Sequence, residues 1–307
     1  MTRVLVTGAS GFIGRPLAAA LAQSGHKVRA LTREAVSFPS SVEIVRAPDF
    51  RETFDARAMM TDIDVVVHLA GIAHAGPGIA ETLYDRVNRA ATAGLAQAAA
   101  SSGVKHFIFI SSIRAQTGPA AEGIITEASA PQPTDAYGRS KLAAENAVRS
   151  AGIPFTIFRP VLVYGEGAKG NLASLMRLAA SPWPLPFGAF DNRRSWLALG
   201  NLIAAIAFAM ETPSTRNETY VLADPAALTL AEIVAALRQA LDRPPRLLSV
   251  PPKLFEITLS LLAREDVWQR LGGNLIADPR KLIAAGWRPK VETRAGLMAM
   301  ARSSPHP

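Results

Sequence analysis

The sequence predicts an α/β protein built on a doubly wound parallel sheet, with a smaller, mostly helical C-terminal lobe. Three observations carry this. Strand-like runs at 4–6, 27–31, 42–45, 64–69, 106–110 and 155–158 are separated by helix-forming stretches, the alternation that makes parallel βαβ units. A Gly8-x-x-Gly11-x-x-Gly14 turn joins the first strand to the first helix. The run His106 to Ile110 is apolar at nearly every position, as expected of a strand covered on both faces.

Taken in order, Val4 to Val6 leads through Thr7-Gly8-Ala9-Ser10-Gly11-Phe12-Ile13-Gly14 into a helical pattern from Pro16 to Ser24, closed by Gly25. Pro16 is tolerated in a first turn and Gly25 suits a C-terminal cap. Glycines at this spacing let the backbone turn tightly, approach a pyrophosphate and pack helix on strand, while the helix N-terminus faces the negative charge. The turn, with Ser10, Phe12 and Ile13 between its glycines, is therefore read as the dinucleotide site of a Rossmann-like fold. The second strand ends in Thr32-Arg33, where a NAD site places an acid for the ribose hydroxyls. Arg33 could pair instead with a 2′-phosphate, so NADP is favoured over NAD. Asp49, just beyond the third strand, is the candidate adenine-edge contact. The fourth strand, ending at Leu69, runs into Ala70-Gly71, a turn small enough to pass beside the coenzyme.

Residues 81–102 read as one long helix ended by Gly103, with Asn88 polar inside it. The fifth strand ends in Ser111-Ser112, whose hydroxyls point toward the ligand crevice by the rule that ligands bind beyond the carboxyl ends of parallel strands. Thr134 and Asp135 are N-caps for a helix on which Tyr137 and Lys141 stand one turn apart on the same face. An ammonium beside a phenol favours the phenolate, and bringing a tyrosine from about 10 to near 7 needs only about 4 kcal/mol. Taken alone, such a pair is common on solvated helix surfaces. The sixth strand carries Arg159-Pro160 at its end.

Beyond Tyr164-Gly165 the alternation weakens, and Ser181-Pro-Trp-Pro-Leu-Pro-Phe-Gly188 is too proline-rich for regular structure. A helix over about 201–210 and a strand at 218–222 follow, and Thr229 with Glu232 makes a capping box for a helix ending near Leu241. Residues 244–307 read as mostly helical with proline breaks. This places a dinucleotide-binding domain at 1–165, with 218–222 added to its sheet, and a mainly substrate-binding lobe at 166–307.

The composition narrows the function. Residues 1–200 hold 20 basic and 15 acidic side chains and residues 201–307 hold 13 and 10, so the net charge of +8 is diffuse. No basic run or stripe points to nucleic acid, and the charge suits a phosphorylated small ligand. The longest apolar run, Leu202 to Met210, is far too short to span a bilayer, so no membrane partner is expected. There is no cysteine, the first residues are strand-like, and the expected location is the cytoplasm. The five histidines have no paired-ligand spacing, so no metal is expected.

With Gly8-x-x-Gly11-x-x-Gly14, a helical Asn88, Ser112 at a strand end, Tyr137-x-x-x-Lys141 and Arg159-Pro160 in this order, the sequence resembles the extended short-chain dehydrogenase/reductases, the NAD-dependent epimerase/dehydratase family. The resemblance implies a catalytic set of Ser112, Tyr137 and Lys141 with Asn88. Lys141 would also hold the nicotinamide ribose, and Leu69, Ala70, Gly71, Tyr137 and Pro160 would line the coenzyme. Asn192-Arg193-Arg194-Ser195 and the segment 278–289 are similar to nucleotide-sugar epimerases and reductases of bacterial polysaccharide synthesis. Arg194 matches their diphosphate-binding arginine, and His74, Ser112, Asn171 and Arg270 are further candidate substrate contacts. A homodimer through the helices at 81–102 and 137–151 is also implied. Dehydratases of the family carry Asp-Glu where Ile113-Arg114 stand, which disfavours dehydration. The missing acid after strand two leans toward an exchangeable coenzyme and a net 4-keto reductase acting on a UDP-sugar. A UDP-glucose-type 4-epimerase, a reductase of a non-nucleotide carbonyl compound and a silent NAD(P)-binding regulator stay open.

Overall fold

The computed structural model describes residues 1–34, 36–73, 78–168, 170–262 and 264–303, without the side chains of 171, 265, 266 and 270. Seven strands, β1 (Arg3–Thr7), β2 (Lys27–Thr32), β3 (Val42–Arg46), β4 (Val65–His68), β5 (His106–Ile110), β6 (Phe155–Pro160) and β7 (Glu218–Leu222), form one sheet. Their order is β7-β6-β5-β4-β1-β2-β3 and every pairing is parallel. The order reverses between β1 and β4, which opens a crevice at the carboxyl ends of those two strands.

Because side chains alternate across a strand, the sheet feeds two cores. Val4, Val6, Ile108 and Ile110 pack with Leu17 and Leu21 of α1 (Gly14–Gln23) and with Leu202 and Ile206 of α6 (Leu199–Glu211). Leu5, Val66, Phe107 and Phe109 pack on the other face with Leu95 of α3 (Ala91–Ser101) and Ala144 and Val148 of α4 (Ala136–Ser150). Both faces are covered, which explains the unbroken apolar run of β5.

The region expected as one helix over 81–102 is α2 (Glu81–Tyr84), a π-helical stretch Asp85–Ala90, and α3. The wider π turn coincides with the point where Asn88 faces inward and is 1% exposed. Asp135 caps α4 by accepting from Gly138 N at 2.7 Å. Residues 166–180, unassigned from sequence, include α5 (Asn171–Ala180). α7 (Leu230–Ala240) starts with the expected Thr229–Glu232 capping box. α8 (Pro252–Leu261), α9 (Glu265–Gly272), α10 (Arg280–Ala284) and α11 (Thr293–Ser303) complete the chain. Three short pairings, 193–194 with 228–229, 196–198 with 162–164, and 276–277 with 124–125, join the later segments to loops beyond the sheet.

Candidate active site at the carboxyl ends of the central strands

A cavity of about 1040 Å³ lies between the sheet ends and the helices that follow residue 166. Ser112, Tyr137 and Lys141 all line it, and the Ser112 hydroxyl acts on the Tyr137 phenol in the direction that favours its ionised form. Ser112 also accepts from Arg114 N at 3.1 Å, because the chain folds into a short 3₁₀ turn after β5. The strand end, this turn and the first turn of α4 thus bring together the two hydroxyls found separately in the sequence.

Lys141 turns toward the end of β5. Its Nζ donates to the Ile110 carbonyl at 3.0 Å and lies 4.8 Å from the centre of the Phe109 ring. Burial pulls its pKa down to about 8, with Glu145 opposing. The Tyr137 hydroxyl is pushed up by burial, with the Ser112 hydrogen bond acting the other way. Desolvation is the largest influence on the Tyr137 hydroxyl, and the charge that opposes it is the Arg114 guanidinium.

The glycine turn has the shape a pyrophosphate requires. A Cβ on Gly8, at φ +67°, would come 2.8 Å from Ala70 N, and one on Gly14 would come 2.2 Å from Gly8 O. Only glycine permits this approach between the β1–α1 and β4 turns. Ile13, Leu69, Gly71 and Pro160 border the cavity, while Ser10, Gly11, Phe12 and Ala70 complete the two turns. Thr7 Oγ1 accepts from Leu69 N and Ala70 N and so donates to His68 Nδ1 at 2.6 Å. Thr92 Oγ1 donates to the Asn88 carbonyl, which leaves His68 Nε2 to donate to Thr92 at 2.8 Å. His68 is thus a neutral structural imidazole, its pKa lowered to about 3 by burial and secondarily by Lys141.

Asn88 does not line the cavity. It accepts from Ile72 N at 2.8 Å and donates to Ile72 O and to Ser140 Oγ, tying the β4 turn to α4. These contacts hold the β4 turn against the helix that carries Tyr137 and Lys141. Arg33 and Asp49 sit elsewhere, in a crevice of about 560 Å³ with Arg46 and Arg51 beyond β2 and β3. Arg51 binds both Asp49 oxygens, at 2.5 to 3.0 Å, and an adenine contact would compete with that pair.

Arg194 lines the far side of the cavity, where it donates to Gly273 O at 2.7 Å and Pro119 O at 2.8 Å. Burial, then the charge of Arg114, lowers its pKa to about 10. His74 and the side chains of Asn171 and Arg270 lie outside the described residues. Sequence reasoning treated Arg114 only as a missing acid. The guanidinium lines the cavity, pairs with Asp135 at 2.5 Å and leaves Nη1 buried without a hydrogen-bond partner among the described residues. A buried network was missed as well: Glu145 binds Arg159 at 2.6 and 2.9 Å and accepts from Ser111 at 2.6 Å. The i,i+4 spacing of Lys141 and Glu145 was the available signal. Among the described residues no group of three or more His, Asp or Glu side chains is placed to hold a metal ion, and no helix is long and apolar enough to cross a membrane.

A Rossmann-like sheet with a glycine turn and a Ser-Tyr-Lys cavity at its carboxyl edge defines a nicotinamide-dependent enzyme of the extended short-chain dehydrogenase/reductase type. Residues 4–223 match the NAD dependent epimerase/dehydratase family. The chain is 34% identical to a UDP-glucose 4-epimerase of Vibrio cholerae, over 98% of this chain and 94% of that one. It therefore belongs to the NAD-dependent epimerase/dehydratase family. It is 29% identical to the N-acetyl-alpha-D-glucosaminyl-diphospho-ditrans,octacis-undecaprenol 4-epimerase of Escherichia coli O157:H7, over 78% and 72% of the two chains. Its fold matches a Bacillus cereus UDP-glucuronic acid 4-epimerase solved with NAD, at TM-score 0.77 and 24% identity over 97% of both chains.

Proposed function

We propose that this protein is an NAD(P)-dependent sugar 4-epimerase, acting at C4 of a sugar that carries a diphosphate. The observation behind this reading is one cavity holding the Ser112–Tyr137 hydroxyl pair and the Arg194 guanidinium. The two relatives above carry the names of epimerases at that carbon, and this favours the epimerase over the net 4-keto reductase that the sequence suggested. Tyr137, ionised in the field of the positive charge that a bound oxidised coenzyme would bring, would take the C4 hydroxyl proton and return it, with Ser112 holding the same oxygen and Lys141 anchoring that end of α4 to β5. Gly8, Gly11, Gly14, Leu69 and Gly71 would hold the coenzyme, which when bound supplies the hydride exchange at C4. Arg194 and Arg114 are the cations available to a diphosphate.

A second reading, a 4-keto reductase using NADP, is favoured by one feature. Arg33, Arg46 and Arg51 surround the crevice beyond β2 and β3, and of its two carboxylates, Asp49 and Asp55, the first is engaged by Arg51. Purified protein incubated with UDP-glucose should form the 4-epimer without net change in reduced coenzyme. Stoichiometric NADPH consumption with a UDP-4-keto sugar and no epimerisation would establish the second reading instead. No turnover of either, nor of a lipid-linked sugar diphosphate, would overturn both.

A further inference from the structure

We propose that the outer face of α8, together with Trp183 and Leu178, seats on an anionic lipid bilayer, and that the cavity behind it takes a substrate carried on a membrane lipid. The substrate part rests on the C4 chemistry proposed above; the docking part stands without it.

Leu254, Ile257 and Leu261 are 54%, 57% and 83% exposed and fall within about 60° of one another around α8. The opposite face is anchored, with Phe255 packed against Phe187 and Phe190 at ring-centre distances of 6.0 and 5.2 Å. Trp183 and Leu248 add exposed apolar surface beside it, brought together by backbone bonds of 2.9 to 3.0 Å between Leu185 and the 246–248 segment. Solvated globular surfaces rarely present an apolar stripe of this continuity.

The stripe leads inward. Leu178 is exposed and also borders the cavity, and Leu175, Val267 and Leu271 continue the apolar lining toward Tyr137. A purely hydrophilic nucleotide-sugar has little use for such a wall, whereas a hydrocarbon chain leaving the diphosphate would be covered by it.

Charge selects the occupant. Over residues 242–262, ahead of the acidic pair Glu265-Asp266, the chain carries Arg243, Arg246 and Lys253 against Asp242 and Glu256, and Arg177 adjoins Leu178. A second copy packed on this face by a twofold axis would bring like charges together, whereas anionic headgroups complement them. Ten residues make a helix of about 15 Å, too short to cross a bilayer but suited to lying in its interface. The absence of a spanning segment, from which no membrane partner was expected, does not bear on this mode.

The test is co-sedimentation of the intact protein with phosphatidylcholine vesicles, with and without phosphatidylglycerol. Binding is expected to the anionic vesicles and to weaken with salt. The triple substitution Leu254→Glu, Ile257→Glu, Leu261→Glu should lower the bound fraction at least about tenfold, and Arg243→Glu with Arg246→Glu should also reduce it, with thermal melting unchanged in both. No sedimentation, or binding indifferent to both variants, overturns the docking. So does a wild-type dimer that the triple variant converts to a monomer without any vesicle binding. For the substrate, a sugar diphosphate on a polyprenyl chain within those vesicles should be turned over faster than the UDP-sugar. Turnover of the UDP-sugar alone would overturn the lipid-linked substrate while leaving the C4 chemistry in place.

Discussion

The two walls of the large cavity are made in different ways. The sheet side presents polar groups held by buried contacts: Lys141 on the Ile110 carbonyl, Ser112 on Tyr137, and behind them Glu145 between Arg159 and Ser111. The lobe side presents Leu172, Leu175, Val267 and Leu271, with Arg194 as its cation bound to two carbonyls. A proton has to move over a fraction of an ångström, so the wall that moves it gains from groups that cannot rotate. A wall that only covers a ligand gains from apolar area and tolerates looser packing.

The comparison breaks first at Tyr137. If the sheet wall carries the chemistry, Tyr137→Phe should cut turnover about 100- to 10,000-fold with coenzyme binding nearly intact. Full turnover in that variant on a confirmed substrate would move the chemistry elsewhere.

Next in size is the support behind that wall. Glu145 is fully buried with two arginine partners, and Glu145→Ala leaves buried Arg159 uncompensated. Denaturant titration should show a loss of about 3–5 kcal/mol. A loss under 1 kcal/mol would mean the network is incidental.

On the lobe wall, Arg194→Ala should raise KM for a diphosphate-bearing substrate about 10- to 100-fold, with a smaller change in kcat. An effect confined to kcat would place Arg194 with the chemistry rather than with recognition.

A further effect, spread over about two and a half pH units, concerns Lys141. With Lys141 at about 8 in the folded protein and 10.5 as its ordinary value, the unfolded chain binds more protons between those values. Stability should therefore rise with pH across that window, by at most about 1.4 kcal/mol per unit, and the cost of burying the ammonium is fully present only below about 8. In Lys141→Met that rise should be absent. An identical slope in both proteins, followed by thermal melting from pH 7 to 10.5, would show that Lys141 is not held as a desolvated cation.

By itself the sequence determined the alternation of strands and helices, the glycine turn, the Thr229 cap, and the order of Ser112, Tyr137 and Lys141. These are local facts, set by period, cap chemistry and the steric demands of backbone close to backbone. Only the tertiary structure decided what those residues meet. Asn88 turned inward on Ile72 because a π turn rotates it there, and Lys141 turned to the end of β5, where burial rather than its neighbour on the helix governs the titration of Tyr137. Arg114 and the Arg33, Arg46 and Arg51 group acquired their surroundings the same way, from chain ends and loops brought together over long separations. Electrostatics and desolvation depend on every atom within a few ångströms, and a one-dimensional pattern does not specify which atoms those are.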